Sequence, residues 1–577
     1  MLRFYDGAEM RRFLWILSLT LVAAQVQAQP AVVYQKIAIA ADHPAASEAG
    51  LEVHRAGGNV VDVAAAVGFA LSVVRPESSG LGGGGFMVIW DAEQGKSIAI
   101  DYRERAPAAA TADMFLDQEG NLLAELAQAG PKAAAIPHHV AGLCHAVRKY
   151  GKLDLKAVLA PAVRLAKNGV PLDEHSTAIR LQTLAKFEKR PEWKEEFEPF
   201  YRLYLQNGVP FEAGQIVTSP QAELLEKIAA EGSAGFYDGP AAEAFAREMR
   251  RVGGIISEED LRTARPTERE AITASYDDGM IVTMPPPSSG GVALIESLNI
   301  LTAFEQRHPE LSAALHDGDD LLFRHVLTES MKHAFADRAT YLGDPDYAEV
   351  PTARLVSPEY AAKLAAKIDI HRTKPLEEYG RTSPTRDGGT THFSVIDAAG
   401  NAVACTETIN LGFGSYVVIP ETGLLLNNEM DDFAAKPGVP NAFGLVQSEA
   451  AAVGPGRRPL SSMTPTIFVR DGKAVLAVGA SGGPRIITAT MQVFLNAVRF
   501  GMPAQAAIDA PRQHHQWLPN ELLVEPPLWT SSRAGLEAYG HDVAKEPSLA
   551  ASQLVLKDEA GLHAASDPRK GGKPAGE

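Results

Sequence analysis

The chain has 577 residues, with 54 lysines and arginines against 71 aspartates and glutamates, so its formal net charge is −17. This length is sufficient for a large core and for more than one ordinary domain. The acidic excess argues against nucleic acid or an anionic membrane as the main partner, because both repel a negatively charged protein.

Both ends of the chain are expected to lie outside the fold. Residues 11–12 are basic, residues 13–24 are apolar, and residues 26–28 (Val-Gln-Ala) resemble a signal-peptidase cleavage site. The apolar run is too short for a comfortable membrane span. We therefore predict a signal peptide over residues 1–28 and a secreted protein, periplasmic if the host is Gram-negative; an uncleaved anchor is the alternative. The Gly-, Lys- and Pro-rich tail after residue 569 is expected to fray.

The first strong element is Val60 to Val74, which is apolar on nearly all sides and predicts a buried helix with Asn59 as its N-cap. Gly82 to Gly85 then lead into a predicted strand, residues 86–90, with residues 97–103 as its hairpin partner. This glycine run lacks the Lys-Ser/Thr of a phosphate-binding loop, so close backbone packing is the better interpretation.

Arg103 and Arg105 follow at the end of that hairpin and share one side of an extended chain. A planar guanidinium suits bidentate binding of a carboxylate, although a surface ion pair is the more common role.

Residues 130–380 are mostly helical in pattern, while strands dominate after residue 390. Ser257 and the acidic residues that follow it predict a helix start with a capping box. Residues 361–368 predict a further helix, and the proline- and glycine-rich residues 285–291 interrupt the pattern. Such blocks of helices and strands are typical of a layered α+β fold.

Thr390 is the most informative residue, because it begins an alternation of apolar and polar residues. Residues 392–397 predict one strand, residues 398–401 a tight turn, and residues 402–409 a second strand. A turn centred on the middle of that segment places Thr390 opposite Thr408, close enough for the two hydroxyls to meet. The turn type is not fixed, so the register can slip by one or two residues.

A threonine hydroxyl is a weak nucleophile unless a base lies beside it. Cleavage between Gly389 and Thr390 frees an α-amine with a pKa of about 8, and that amine can accept the hydroxyl proton. By itself, a Gly-Thr-Thr sequence is far more often a loop that runs into a strand. The segments around it favour the catalytic interpretation.

Two other patterns are suited to charged groups. Residues 473–478 predict a strand that ends in a glycine-rich turn, residues 479–484, before a helix. Backbone N–H groups at such a junction can converge on an anion or an oxyanion, although an ordinary turn is more frequent. Glu429 and Asp432, three residues apart, can both face an ammonium group; without context they are solvated charges.

The sequence gives little support for a disulfide or a metal site. Cys144 and Cys405 are far apart in the chain, and Cys405 fits a small core residue. There is no CxxC or HExxH motif. The side chains of His514-His515 would diverge on any regular element, so we interpret them as packed or surface residues. No metal and no cofactor are expected.

Nine segments carry a resemblance to a known family over roughly residues 36 to 570. They are Leu81–Met87 (LGGGGFM), Asp101–Pro107 (DYRERAP), Pro285–Gly291 (PPPSSGG), Ala336–Asp346 (ADRATYLGDPD), Thr390–Val395, Gly400–Gly414, Asn427–Phe433 (NNEMDDF), Arg458–Met463 (RPLSSM) and Ser481–Gly483. Together they resemble the γ-glutamyltransferase (glutathione hydrolase) family. The match is long and gapless, and therefore specific.

The resemblance implies the four-layer αββα sandwich of the N-terminal nucleophile hydrolases, an α+β fold. It implies self-cleavage between Gly389 and Thr390 into a large subunit, residues 29–389, and a small catalytic subunit, residues 390–577, which share one core. Thr390 would be the nucleophile, and we expect Thr408 to orient it.

The resemblance also implies the other site roles. These are Gly482 and Gly483 as the oxyanion hole; Arg103, Ser461 and Ser462 for the α-carboxylate of a γ-glutamyl group; and Asn410, Glu429 and Asp432 for its α-amine. Some members carry glutamine in place of Glu429, and either side chain can accept from an ammonium. Bacterial relatives often have tyrosine in place of Phe443, in a lid loop over residues 437–446, so a hydroxyl latch is lost here.

Such an enzyme would be a γ-glutamyltransferase and glutathione hydrolase. Its partners would be glutathione or another γ-glutamyl compound, an acceptor amino acid or dipeptide, and water. The alternatives are a cephalosporin (glutaryl) acylase on the same scaffold and an unprocessed, inactive binding protein. The acylase is disfavoured because a glutaryl group has no α-amine for Asn410 and Asp432 to hold. Neither nucleic acid nor, after signal removal, a membrane is expected as a partner.

Overall fold

The structure, a computed structural model, describes residues 32–379 and 390–577. The predicted signal peptide and Gly389 of the predicted cleavage site lie outside the described residues. Residues Tyr34–Glu577 form one unit. No helix within the described ranges has both the length and the apolar character needed to cross a membrane.

Most strands of the described residues belong to two large sheets. The strands are β1 (Ile37–Ala41), β2 (Gly84–Asp91), β3 (Lys96–Tyr102), β4 (Val170–Pro171), β5 (Ile216–Val217), β6 (Thr267–Arg269), β7 (Ile272–Tyr276), β8 (Gly279–Thr283), β9 (Thr390–Asp397), β10 (Ala402–Thr408), β11 (Val418–Ile419), β12 (Leu424–Leu425), β13 (Thr466–Arg470), β14 (Lys473–Ser481), β15 (Gln513–His514), β16 (Leu522–Val524), β17 (Val543–Lys545), β18 (Ala551–Lys557), β19 (Leu562–Ser566) and β20 (Ala575–Gly576).

The first large sheet has the strand order β20-β1-β9-β10-β2-β3-β6, and the second has the order β19-β18-β14-β13-β8-β7. All neighbouring strands in both sheets are antiparallel. In the first sheet, β9 and β10 lie between β1 and β2. Strands from before residue 390 therefore lie beside strands from after it within one hydrogen-bonded sheet.

The helices lie mainly outside these sheets. They are α1 (Pro44–Arg55), α2 (Val60–Val74), α3 (Ala124–Gln128), α4 (His139–Tyr150), α5 (Leu155–Asn168), α6 (Glu174–Lys189), α7 (Trp193–Glu196), α8 (Glu198–Leu203), α9 (Ala222–Glu231), α10 (Ala234–Tyr237), α11 (Gly239–Val252), α12 (Glu258–Arg262), α13 (Gly290–Arg307), α14 (Ser312–Leu315), α15 (Leu321–Tyr341), α16 (Thr352–Leu355), α17 (Pro358–Ala365), α18 (Arg485–Val498), α19 (Ala504–Asp509) and α20 (Pro526–Ala538).

The two sheets pack face to face and form the centre of the molecule. Their facing sides bury one apolar cluster, to which β2 contributes Phe86 and Val88 and several strands contribute alanines. Small side chains at facing positions let two sheets approach closely. Helices α1, α2 and α4 contact the outer face of the first sheet, and α5 packs on α2. Helices α13, α18 and α19 contact the outer face of the second sheet, and α15 and α17 pack on α13. The expected four-layer αββα arrangement is confirmed.

Local signals predicted several elements well. Asn59 caps α2 and forms a capping box with Asp62, because each side chain accepts from the other residue's backbone N–H. Ser257 and Asp260 form the same motif at α12. The prediction of a frayed tail is wrong, since β20 pairs with β1 and the Glu577 carbonyl accepts backbone N–H groups from residues 35–37.

The predicted packing roles of the cysteines and histidines are confirmed. Cys144 and Cys405 are both free and buried, and they form no disulfide. The Cys405 Sγ lies 2.9 Å from the Tyr102 hydroxyl. His514 and His515 are both buried.

One close approach between the sheets can be tested. A Cβ atom added at Gly479 of β14 would lie 2.3 Å from the ring of His392 on β9. That ring is fixed at both nitrogens, by Thr406 Oγ1 at 2.8 Å and by Ser394 Oγ at 3.0 Å. We expect Gly479→Ala to lower the free energy of unfolding by about 1–3 kcal/mol. Thermal unfolding measures this change. In the control, Gly80→Ala, the nearest atom lies 3.9 Å away, and an equal loss there would contradict the expectation.

Candidate active site

Thr390 begins β9, and it pairs directly with Thr408 of β10, so the predicted register is confirmed. Their Oγ1 atoms lie 3.3 Å apart. The Thr408 oxygen also accepts the backbone N–H of Asn410 at 2.8 Å. Either hydroxyl can be the donor in the contact between the two threonines. Both threonine side chains are buried, so the contact is protected from bulk water.

A buried cation fixes the start of β9. The Lys570 ammonium donates to the Thr390 carbonyl and lies 2.8 Å from the Asp42 carboxylate. Asp42 also accepts from Thr391 Oγ1 at 2.7 Å and from Gln553 Nε2 at 2.6 Å. Burial by itself would raise the pKa of Asp42, but Lys570 and these hydrogen bonds outweigh burial and lower it. No local sequence pattern indicates this network, because its members are far apart in the chain.

A small pocket of about 20 Å³ contains the paired threonines together with most of the predicted binding residues. Its lining residues include Arg103, Thr390, Thr408, Asn410, Glu429, Asp432, Phe443, Leu445, Ser461, Ser462 and Gly483. These residues come from both sides of residue 390 in the chain. The structure thus brings together the predicted carboxylate-binding, amine-binding and nucleophilic groups.

Arg103 is buried and forms ion pairs with the two acids predicted to hold an amine. Its guanidinium donates to the carboxylates of Glu429 and Asp432 and, at 3.3 Å, to the carbonyl of Pro459. Burial alone would lower the pKa of Arg103, but Glu429 and Asp432 raise it. In this arrangement the groups expected to bind opposite charges neutralise each other.

Acidic groups outnumber the cations around Arg103. Burial raises the pKa of Glu429 well above its ordinary value, and it raises that of Asp432 as well, although Arg103 opposes both shifts. Burial also raises the pKa values of Glu104 and Asp431 to about 7. The site would therefore be stabilised by an additional cation.

The structure separates the two arginines, which strand alternation alone could not distinguish and of which the family resemblance favoured Arg103. Strand β3 ends at Tyr102, so Arg103 and Arg105 are not on one continuous strand. Arg105 is partly buried and lies 3.4 Å from Thr267 Oγ1, and its backbone bridges to Ile136. Only Arg103 of the two lines the pocket.

The side-chain oxygens of both predicted serines accept hydrogen bonds. Ser461 Oγ accepts the backbone N–H of Met463 at 3.1 Å. Ser462 Oγ accepts from Nη2 of Arg338 at 3.4 Å. Arg338 belongs to a segment that carries the family resemblance, but sequence reasoning assigned it no role.

Gly482 and Gly483 lie between the end of β14 and the start of α18, as the strand-turn-helix pattern predicts. Their φ angles are +135° and +56°, which favour glycine. A Cβ at Gly482 would also lie 2.9 Å from the backbone of Ala550. Gly483 lines the pocket described above, while Gly482 lines a second, larger pocket that also contains Thr390.

The predicted lid loop, residues 437–446, lies over the smaller pocket and has anchors other than a hydroxyl. Phe443 is buried and lines the pocket. Asp431 accepts the backbone N–H of Ala442 at 3.1 Å. The side-chain oxygen of Asn441 accepts the N–H groups of Phe443 at 3.0 Å and Leu445 at 3.2 Å. The Asp431 bond connects the loop to the turn that carries the acids, whereas the Asn441 bonds stabilise the loop internally.

One cluster in the described ranges has the composition of a metal site: His325, Glu329 and His541. His325 Nδ1 lies 2.8 Å from His541 Nε2, and His325 Nε2 lies 2.8 Å from the carbonyl of Asp369. The ammonium of Lys332 lies 3.2 Å from Glu329 and 3.4 Å from His541. A positive charge therefore already occupies the centre of the cluster, and hydrogen bonds account for its polar groups.

Comparisons with known proteins agree with this geometry. The sequence profile described as Gamma-glutamyltranspeptidase matches residues 46–577. The glutathione hydrolase proenzyme of Escherichia coli (strain K12) is 43% identical over 528 residues, which cover 91% of this chain and 89% of that protein. The crystal structure of cephalosporin acylase from Bacillus halodurans has a TM-score of 0.81 at 27% identity and covers 95% of this chain and 97% of that one. The Helicobacter pylori gamma-glutamyltranspeptidase structure has a TM-score of 0.52 at 36% identity, with 58% and 92% covered.

The lid anchors generate a prediction that does not depend on function. Asn441→Ala removes the acceptor of two backbone N–H groups, and each such hydrogen bond contributes about 0.5–1.5 kcal/mol. We expect residues 437–446 to open more often and to be cut roughly tenfold faster in limited proteolysis. Val439→Ala, in the same loop, is the control, since it removes only apolar atoms. Equal cleavage of the two variants would show that Asn441 does not hold the loop.

Proposed function

This chain belongs to the γ-glutamyltranspeptidase family, and we propose that it is a self-processing γ-glutamyltransferase and glutathione hydrolase. The observation that carries the proposal is a single pocket that contains both paired threonine hydroxyls and a buried arginine with two carboxylates. A γ-glutamyl group has a carboxylate, an ammonium and a reactive carbonyl. The pocket offers a complementary group for each of them.

Substrate binding exchanges ion pairs within the pocket. The α-carboxylate of the substrate forms an ion pair with the guanidinium of Arg103 and accepts hydrogen bonds from the hydroxyls of Ser461 and Ser462. The α-ammonium of the substrate forms ion pairs with Glu429 and Asp432 and also contacts the side-chain amide of Asn410. The arginine and the acids are paired with each other before binding, so a zwitterion can replace both partners without leaving a buried charge uncompensated.

Thr390 is the nucleophile of the proposed reaction. Its α-amine, freed by self-cleavage, accepts the Oγ1 proton as that oxygen attacks the γ-carbonyl. Backbone N–H groups at Gly482 and Gly483 stabilise the oxyanion. The amide C–N bond then breaks, the leaving amine takes the proton, and a γ-glutamyl ester remains on Thr390. Water or an acceptor amino acid or dipeptide then attacks the ester and restores the hydroxyl.

Maturation divides the chain between Gly389 and Thr390, into residues 29–389 and 390–577 after removal of a signal peptide over residues 1–28. Support for this comes from the Escherichia coli relative, whose name describes a proenzyme. The sheet order supports a stable two-chain product, since β9 and β10 are hydrogen-bonded to β1 and β2 on either side. Export from the cytoplasm, into the periplasm of a Gram-negative host, is part of the proposal.

A glutaryl acylase is the second candidate, because one similar structure is a cephalosporin acylase. A glutaryl group would satisfy Arg103 but would bring no ammonium to Glu429 and Asp432. These two buried acids would then lose their arginine and gain no partner, which is costly. The acid pair therefore favours a γ-glutamyl substrate.

The first functional prediction concerns Thr390. We expect the purified wild type to give two bands on a denaturing gel, with Thr390 as the first residue of the smaller chain. Thr390→Ala should remain one chain and be inactive, because it lacks the attacking oxygen. Thr390→Ser keeps the hydroxyl but loses the methyl group that restricts χ1, so it should mature slowly. Maturation of the alanine variant would move the nucleophile elsewhere, with Thr391 the next candidate.

The second functional prediction distinguishes the two arginines. Arg103→Lys keeps the charge but loses the bidentate fork, so KM for γ-glutamyl-p-nitroanilide should rise steeply while self-cleavage stays normal. Removal of a buried charged partner typically costs about 2–5 kcal/mol, of which lysine recovers part. Arg105→Lys is the matched control and should stay near wild type.

Two outcomes of these kinetic measurements would count against the proposal. Reversed behaviour of the two arginine variants would assign the carboxylate to Arg105. A wild-type preference for the glutaryl analogue of the same anilide would favour the acylase.

A further inference from the structure

Arg338 of α15 is a buried cation that forms no ion pair among the described residues. Its side chain is 1% exposed. Its Nε donates to Ser289 Oγ at 2.9 Å and its Nη2 donates to Ser462 Oγ at 3.4 Å, so both partners are neutral. In the described part of the chain, Nη1 has no hydrogen-bond partner. Burial lowers the pKa of Arg338 to about 10, and Asp432 opposes that shift.

A guanidinium in this position is costly for stability. Moving a charge out of water without a direct ion-pair partner destabilises the folded state. A leucine or methionine would fill the same volume without that cost. Arg338 lies directly behind Ser462, which lines the pocket, and this position indicates a role for its charge in substrate binding.

The hydrogen bonds of Arg338 determine how the two pocket serines can bond. Ser462 Oγ accepts from Arg338, so its own proton is directed elsewhere. Ser289 accepts from Arg338 and donates to the carbonyl of Ser461 at 2.6 Å, which fixes the backbone there. Ser461 Oγ accepts the N–H of Met463. Each pocket serine thus has its oxygen engaged and its hydrogen available as a donor.

We propose that Arg338 is a positioning residue for the α-carboxylate of the substrate. It orients Ser462 directly and Ser461 through Ser289, so that both hydroxyls donate into the pocket. This inference rests on the proposed function. Arg103 contacts the carboxylate in that scheme, whereas Arg338 acts only through the serines.

The test compares two anilides that differ at one group. One is γ-glutamyl-p-nitroanilide, and the other carries an α-carboxamide in place of the α-carboxylate. For Arg338→Gln we expect KM for the carboxylate substrate to rise roughly tenfold, since a hydrogen bond to a charged group is weakened, with kcat nearly unchanged. For the carboxamide substrate we expect KM to change less than about twofold, because that substrate brings no charge.

Arg324→Gln is the matched control. Arg324 is also a buried arginine of α15, but it pairs with Asp319 at 2.8 Å, away from the pocket. We expect its kinetics to match those of the wild type on both substrates. An equal loss of activity on both substrates for Arg338→Gln would overturn the proposal, because it would indicate a purely structural role.

A double variant tests the route through the serine. If Arg338 acts through Ser462, then Arg338→Gln combined with Ser462→Ala should be little worse than Ser462→Ala alone. Full additivity of the two effects would contradict that route. If Arg338→Gln does not mature, Ser289→Ala replaces it, with the same selective rise in KM expected and with equal effects on both substrates again counting against the proposal.

Failure of the proposed function would look different from failure of this inference. A matured wild type that does not release nitroaniline from γ-glutamyl-p-nitroanilide would refute the function. If the wild type is active and the Arg338→Gln variant loses activity on both substrates equally, only the inference is refuted.

Discussion

The antiparallel pairing of β9 with β10 is the constraint on which the rest of the site depends. It places Thr390 opposite Thr408, and the flanking strands β1 and β2 fix its register on both sides. Side chains alternate between the two faces of a strand, so a slip of one residue would turn Thr390 away from the pocket. Buried residues on both faces of these strands make such a slip costly.

The pocket contains a concentrated group of buried acids. Glu104, Glu429 and Asp432 lie around Arg103, Asp431 lies near Asp432, and burial raises the pKa of each acid. A low-dielectric cluster with more acids than nearby cations favours a ligand that brings a positive charge of its own. The same cluster anchors the loop over the pocket through Asp431, so that loop is tied to the turn that carries the acids proposed to bind the amine.

Sequence reasoning succeeded where signals were local. The alternation after Thr390 and the turn that follows it were sufficient to place Thr408, and the glycines at 482 and 483 follow from a strand-turn-helix pattern. Alternation alone could not choose between Arg103 and Arg105, because the rule of alternating sides ends where β3 ends; the choice of Arg103 came from the family resemblance. Sequence reasoning missed Asp42 and Arg338, since only the folded chain brings them next to Thr391 and Ser462.

The contact between Lys570 and the Thr390 carbonyl links two points that lie 180 residues apart in the chain. A ribosome makes Thr390 long before it makes the lysine that holds its strand in place. A chain whose synthesis stops in between has the threonine but lacks this support, and it also lacks the Asp42–Lys570 ion pair. Synthesis of the full sequence is thereby coupled to assembly of the site, so that prematurely terminated products lack a completed catalytic centre.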